Sequence, residues 1–98
     1  MKRIVIHDEA ELELWQAVAY YETKHIGLGL DLAQEITRAF VDIQEAPQKW
    51  PIKIHGARRR LLHRFPYAVY YLDLHDRIWV VAVAHSSRKP SYWRNRLK

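Results

Sequence analysis

The chain contains no cysteine, which excludes disulfide staples, thiolate zinc sites and a cysteine nucleophile together. It also lacks a long apolar run. The basic start Met1-Lys2-Arg3 leads into Ile4-Val5-Ile6, but the run stops at His7-Asp8-Glu9. That is too short for a signal-peptide core, and no later stretch approaches a membrane span. These absences predict a soluble protein with no membrane partner, working in the reducing cytoplasm where it is made. Acids are scarce in one half: residues 46–98 hold only Asp73 and Asp76, too few for a typical two-magnesium nuclease site. The six histidines (7, 25, 55, 63, 75 and 85) show no i, i+4 pair or other ligand spacing. No metal and no cofactor are expected, and any nuclease chemistry here is metal-independent. Internal repeats and low-complexity segments are lacking as well.

What is present is a core and a charge imbalance. At 98 residues, 49% of them hydrophobic and four of them Trp, the chain reads as one packed domain spanning 1–98. Residues 1–45 carry nine acids against four Lys or Arg, a net −5, whereas residues 46–98 carry twelve Lys or Arg against two acids, a net +10. Such asymmetry points to an acidic or polyanionic partner meeting the C-terminal half.

Lys2–Ile6 reads as a short strand, with β-branched residues at its centre. Asp8 stands where an N-cap belongs, and Glu11 three residues on completes a capping-box pattern. Ala10, Leu14, Val18 and Tyr21 then recur at helical spacing, and Gly27 and Gly29 punctuate the helix end. A second helix places Leu32, Ile36, Phe40 and Ile43 on one face and is stopped by Pro47. Residues 47–56 read as an irregular loop around Trp50. Three strands follow, Arg58–Phe65, Tyr67–Asp73 and Arg77–His85, with a bend or bulge at Pro66 and a tight turn at His75-Asp76. Ile78–Ala84 is apolar on both faces and is expected to be the central strand. Pro90–Lys98 reads as a short basic tail or helix with Pro90 near its start. The predicted class is α+β, a helical hairpin on a small, mainly antiparallel sheet in the order β-α-α-β-β-β.

Basic residues cluster at Lys49 and Lys53, at Arg58-Arg59-Arg60 with Arg64, and at Arg88-Lys89 with Arg94 and Arg96. Trp50, Tyr67, Tyr70, Tyr71, Tyr92 and Trp93 lie among them. Cations interleaved with aromatics suit single-stranded nucleic acid, with phosphates on the charges and bases on the rings. They suit an acidic peptide equally, because Arg forks pair with carboxylates as readily as with phosphates. Arg58, Arg60, Arg64, Arg88, Arg94 and Arg96 are the candidate target-binding residues. Strand alternation puts Arg58, Arg60 and Arg64 on one face and Arg59 on the other. Tyr70 and Trp79 are assigned to packing, whereas Tyr92 and Trp93 fit either role. His85, Arg88 and Tyr92, just beyond the apolar strand, could supply a base, a phosphate clamp and a second proton-transfer group. The alternative is that His85 bonds to backbone at a strand end while Ser86-Ser87 form the loop.

Arg64-Phe65-Pro66-Tyr67-Ala68-Val69-Tyr70-Tyr71, then Ile78 to His85 ending in Ala-x-His, then Arg88-Lys89-Pro90-Ser91-Tyr92-Trp93, resembles the ParE/RelE toxin superfamily. Trp15, Tyr20, Tyr21 and Phe40 fall in a helical hairpin of compatible length and order, so the resemblance spans essentially the whole chain. It implies the toxin of a type II toxin–antitoxin system (the class of plasmid stabilisation proteins), neutralised by an antitoxin whose acidic, partly disordered segment wraps the basic surface. The Phe-Pro-Tyr and His-x-x-Arg-x-Pro patterns are nearer the ParE-like branch, which implies poisoning of DNA gyrase. The RelE-like branch implies instead a ribosome-dependent mRNA endoribonuclease, with His85, Arg88 and Tyr92 as its catalytic candidates. A third reading is a non-toxic binding module of the same fold.

Overall fold

In the computed structural model, which describes residues 1–98, β1 (Arg3–Ile6) runs into α1 (Asp8–Lys24) through His7 alone. His7, rather than Asp8, is the N-cap: its Nδ1 accepts the Glu9 N–H at 3.1 Å. A ring nitrogen serves as the acceptor that the Asp8–Glu11 capping box was expected to provide. Asp8 sits instead in the first turn, where its charge still suits the helix N-terminus.

The hairpin link is built differently from its sequence reading. Gly27, with φ of 89°, is the N-cap of α2 (Leu28–Glu45), but Gly29 ends nothing; it lies buried inside α2. A Cβ at Gly29 would stand 2.5 Å from the Val18 carbonyl oxygen and 3.0 Å from the Glu22 Cβ. The residue is therefore a contact point where the helices touch backbone to backbone. Glu22 also accepts the N–H groups of Gly27 and Gly29, both at 3.0 Å, supplying the cap that glycine cannot.

Residues 47–56 were expected to be a loop but contain a strand, β2 (Ile52–Ile54). His55 and Gly56 both take positive φ, 53° and 79°, the conformation of a tight hairpin turn. That turn folds β2 against β3 (Ala57–Leu61). β3 is shorter than the Arg58–Phe65 reading because its pairing with β4 (Tyr67–Asp73) ends at Leu61↔Ala68. Leu62–Pro66 bends away, closed by the Leu62 N–H to the Tyr67 carbonyl at 2.9 Å. Glu35 of α2 holds the bend by accepting from the amides of His63 and Arg64.

β5 (Arg77–His85) pairs antiparallel with β4 and parallel with β1, giving the order β1-β5-β4-β3-β2. The mainly antiparallel class expected from the sequence holds, with one more strand. β5 is interior, as its apolarity requires, although β4 occupies the middle of the sheet. Between Tyr70↔Ala82 and Tyr71↔Val80 the register slips, leaving Val81 as a bulge. The bulge resets the alternation, so Ile78, Val80 and Val83 face one layer while Val81, Ala82 and Ala84 face the other.

The first layer is the helical hairpin. Ala10, Leu14 and Ala17 of α1 join Leu32, Ile36, Ala39 and Ile43 of α2 over Val69, Tyr71, Ile78 and Val80. The second face is an alanine-rich floor of Ala57, Ala68, Ala82 and Ala84, covered by the fully buried Trp93. The tail that carries Trp93 is not an α-helix from Pro90; it is a series of turns ending in a 3-10 helix, Arg94–Leu97. So short a segment forms no stable α-helix of its own, and burying Trp93 decides its path. No helix is long and apolar enough to cross a membrane.

One ion pair locks the layers together. Arg60 of β3 is only 6% exposed; it donates to Asp42 of α2 at 2.6 Å and to the Leu61 carbonyl at 2.7 Å. The second Asp42 oxygen pairs with Arg38 at 3.1 Å.

These contacts give two stability predictions. In an ordinary helix interior Gly→Ala stabilises by about 1 kcal/mol. Here the new methyl meets backbone, so Gly29→Ala should destabilise by about 1–3 kcal/mol in urea unfolding. A neutral or stabilising result would show that the helices do not touch at this point. The second concerns Asp42, whose carboxyl is held below its ordinary range, chiefly by the Arg60 hydrogen bond. A lowered folded value stabilises above the unfolded pKa of about 3.9 and loses that contribution as pH falls through the folded one. Asp42→Ala strands a buried guanidinium and should cost about 2–4 kcal/mol at neutral pH. The gap from wild type should narrow below about pH 4 in pH-dependent denaturation; a constant gap would contradict the pairing.

Candidate functional site

At the end of β5 the chain leaves the sheet through a turn that carries the three proton-transfer candidates. His85 Nδ1 accepts the Ser87 N–H at 3.0 Å and lies 2.8 Å from the Ser87 hydroxyl. This is the strand-end role weighed for it, and it leaves Nε2 as the protonated nitrogen. The Arg88 guanidinium lies over the Tyr92 ring, 3.9 Å from its centre. The Tyr92 hydroxyl donates to Glu13 of α1 at 2.5 Å. Burial, reinforced by that carboxylate, raises the Tyr92 phenol well above its ordinary value. His85, Arg88 and Tyr92 do line one shallow cavity of about 170 Å³, with Glu13, Tyr20 and Tyr67. The expected grouping is present, but two of its three members already spend their polar atoms internally.

Glu13 was not singled out in the sequence, because it lies off the apolar line of α1 beside Glu9 and Gln16 and looks like a solvent residue. In the fold it accepts Arg96 through Nη1 and Nη2 at 2.8 and 2.9 Å, as well as the Val83 amide at 3.0 Å. Arg96 also reaches the Val81 carbonyl at 3.0 Å and Glu9 at 2.9 Å. The reason is topological. β1 pairs with β5 only as far as Ile6↔Val80, so groups around the bulge need other partners. Arg96, a target-binding candidate by sequence, is instead a clamp.

The other candidate arginines are dispersed. Arg58 holds the 47–51 loop through the carbonyls of Gln48 and Trp50, at 3.2 and 2.7 Å. Arg60 is buried on Asp42 and belongs to no open surface, whereas Arg58 stays half-buried. Arg64 is exposed, 3.4 Å from Asp31 and stacked on Phe65. Arg94 stands apart in a cavity with His55, Asn95, Leu97 and Lys98. Acids of the N-terminal half thus neutralise several C-terminal arginines within the molecule, which accounts for part of the charge asymmetry.

Arg59 is different: it pairs with no carboxylate, and its buried Nε has no partner. Alternation had placed it opposite Arg58 and Arg60, but it was not among the target-binding candidates. It lines two cavities. One, of about 200 Å³, lies between the Leu61–Tyr67 bend and the His85–Pro90 turn, lined by Leu62, Phe65, Ala68 and Ala84 and also by Lys89 and the same His85, Arg88 and Tyr92. The other, of about 490 Å³, gathers Lys49, Lys53, His63 and Trp50 around Asp42. Nowhere does the fold bring together three His, Cys, Asp or Glu side chains able to hold a metal.

No family model matches the chain, and no curated protein matches it in sequence. Among solved structures it is similar to a chain described as "Chromosomal ParDE TA system from P. aeruginosa", with a TM-score of 0.74. The match covers 87% of this chain and 96% of that one at 19% identity. At that identity the likeness is one of fold, and the α+β arrangement here is the ParE-like one that the sequence resemblance implied.

Proposed function

We propose that this protein is the toxin of a type II toxin–antitoxin system, held inactive by an acidic antitoxin and acting in the cytoplasm by binding DNA gyrase. The observation that carries the reading is the likeness, over nearly the whole of both chains, to a chain from a ParDE toxin–antitoxin system. The Arg64–Tyr71 and His85–Trp93 motifs support the same branch. Binding is favoured over RNA cleavage because the Tyr92 hydroxyl is tied to Glu13 and its proton is held more tightly than usual. A general base or acid works best with a pKa near the working pH, and that phenol is displaced away from it.

A RelE-like, metal-independent and ribosome-dependent endoribonuclease is the second reading, favoured by one observation: His85, Arg88 and Tyr92 share a cavity. Mutants at matched expression separate the two. For a ribonuclease, His85→Gln or Tyr92→Phe should reduce cleavage by about 10²- to 10⁴-fold. For a gyrase binder, each isosteric change should cost about 0.5–1.5 kcal/mol at most and leave growth inhibition intact. Arg88→Ala and Arg94→Ala should then weaken inhibition more. A well-folded Tyr92→Phe protein that is harmless in cells would overturn the gyrase reading. Supercoiling and ribosome-dependent cleavage assays name the target directly. Absence of any growth effect without the neighbouring gene would leave the non-toxic binding module.

A further inference from the structure

α1 is apolar on two faces. The inward one buries Ala10, Leu14 and Ala17 in the core. The outward one carries Leu12, Trp15 and Ala19, spaced three and four residues apart and so in one line along the helix. Leu12 and Trp15 are 55% and 56% exposed, and neither packs against either core. On α2, by contrast, Gln34, Thr37 and Arg38 stand at outward positions. Trp15 is also the one tryptophan with no aromatic or cationic partner. Trp50 carries Lys49 and Arg60, Trp79 meets His7, and Trp93 meets Tyr70 and His55. None of Leu12, Trp15 and Ala19 lines a cavity of the candidate site. An open tryptophan in an apolar line is what the centre of a protein interface uses as an anchor.

The charge around this line has one sign. α1 carries five acids against Lys24 alone, a net −4. Glu9 and Glu13 are engaged by Arg96, but Asp8 and Glu11 are exposed and form no ion pair. Asp8 stands four residues before Leu12 and Glu11 four before Trp15, so each free carboxylate adjoins an apolar residue on the same face.

We propose that the outward face of α1 docks a basic amphipathic helix of a partner protein, with aliphatic side chains over Leu12, Trp15 and Ala19 and Lys or Arg against Asp8 and Glu11. Charge selects this occupant. An acidic segment, a nucleic acid or an anionic bilayer would meet like charge. A second copy presenting the same helix across a two-fold axis would set five acids against five. An extended strand finds no open backbone on a helix, so the partner must bring side chains at helical spacing. The proposal does not rest on the toxin reading, and its partner is opposite in charge to the one implied for the basic half.

The test is fluorescence anisotropy on the full chain with a labelled lysine–leucine peptide whose leucines recur at helical spacing, read beside the tryptophan emission. A scrambled peptide of the same composition and a counterpart with glutamate for lysine are the comparisons. The ordered lysine peptide should bind about tenfold more tightly than either and shift the emission to the blue. Trp15→Ser should weaken it about tenfold or more and remove the shift. Asp8→Asn with Glu11→Gln should weaken it about threefold and flatten its salt dependence. Leu61→Ser, which removes an equally exposed leucine of β3, should change nothing. If a thermal melt shows Trp15→Ser to be unfolded, Leu12→Ser replaces it with the same expected direction. Equal binding of the scrambled peptide, preference for the glutamate peptide, indifference to the α1 substitutions, or equal loss with Leu61→Ser would overturn the proposal. So would sedimentation showing a self-associated chain that Leu12→Ser makes monomeric, since a second copy would then own the face.

Discussion

The side of the sheet away from the helices depends on one carboxylate. Glu13 accepts from the Val83 amide, the Arg96 guanidinium and the Tyr92 hydroxyl, and so joins α1, the β5 bulge and the C-terminal tail. A carboxylate withdrawn from water is costly unless its oxygens are fully bonded, and here they are. The arrangement follows from a mismatch of strand lengths. β1 has four residues and β5 has nine, so β5 outruns its parallel neighbour. A short β1 with no clamp would leave an open sheet edge, the feature natural proteins cover or pair.

That clamp shapes the candidate site. Once Arg96 and Glu13 fix the tail, Trp93 closes the alanine floor and Tyr92 is drawn towards α1 with Arg88 on its ring. Groups that seemed available for chemistry in the sequence become parts of a scaffold. What remains open is the ground between the Leu61–Tyr67 bend and the His85–Pro90 turn, which Tyr92 of the tail helps to line. A partly apolar surface with cations beside it suits recognition, and with the Tyr92 hydroxyl tied to Glu13 it is the physical basis for preferring a binding mode of action.

Much of the fold was legible because it rests on periodicity. The apolar faces of both helices, the β4–β5 hairpin and the bend at Pro66 all follow from spacing and turn chemistry. The failures share a cause, which is that tertiary contact decided them. Gly29 reads as punctuation unless the Val18 carbonyl is known to face it. β2 reads as loop because Pro47 and Pro51 precede it and Gly56 follows, and only pairing with β3 makes it a strand. Arg60 and Arg96 read as surface charge because nothing in spacing reveals Asp42 or Glu13 opposite them. Glu13 itself carries no sequence signal at all. The grouping of His85, Arg88 and Tyr92 was visible because those residues are close in the chain, and so was a backbone bond for His85, whereas the bond from Tyr92 to Glu13 was not.

The same pairing changes how the charge imbalance is to be understood. If every C-terminal cation were free, the whole basic half would attract a polyanion without discrimination. Internal pairs with Glu9, Glu13, Asp31 and Asp42 remove Arg96, Arg60 and Arg64 from that field. Arg59, Arg88, Lys89, Lys49 and Lys53 remain around two neighbouring cavities. A diffuse positive field accelerates encounter with any anion, but a few unpaired cations set beside an apolar cleft add a requirement of register. By neutralising its own arginines elsewhere, the fold turns a general electrostatic attraction into a local and selective one.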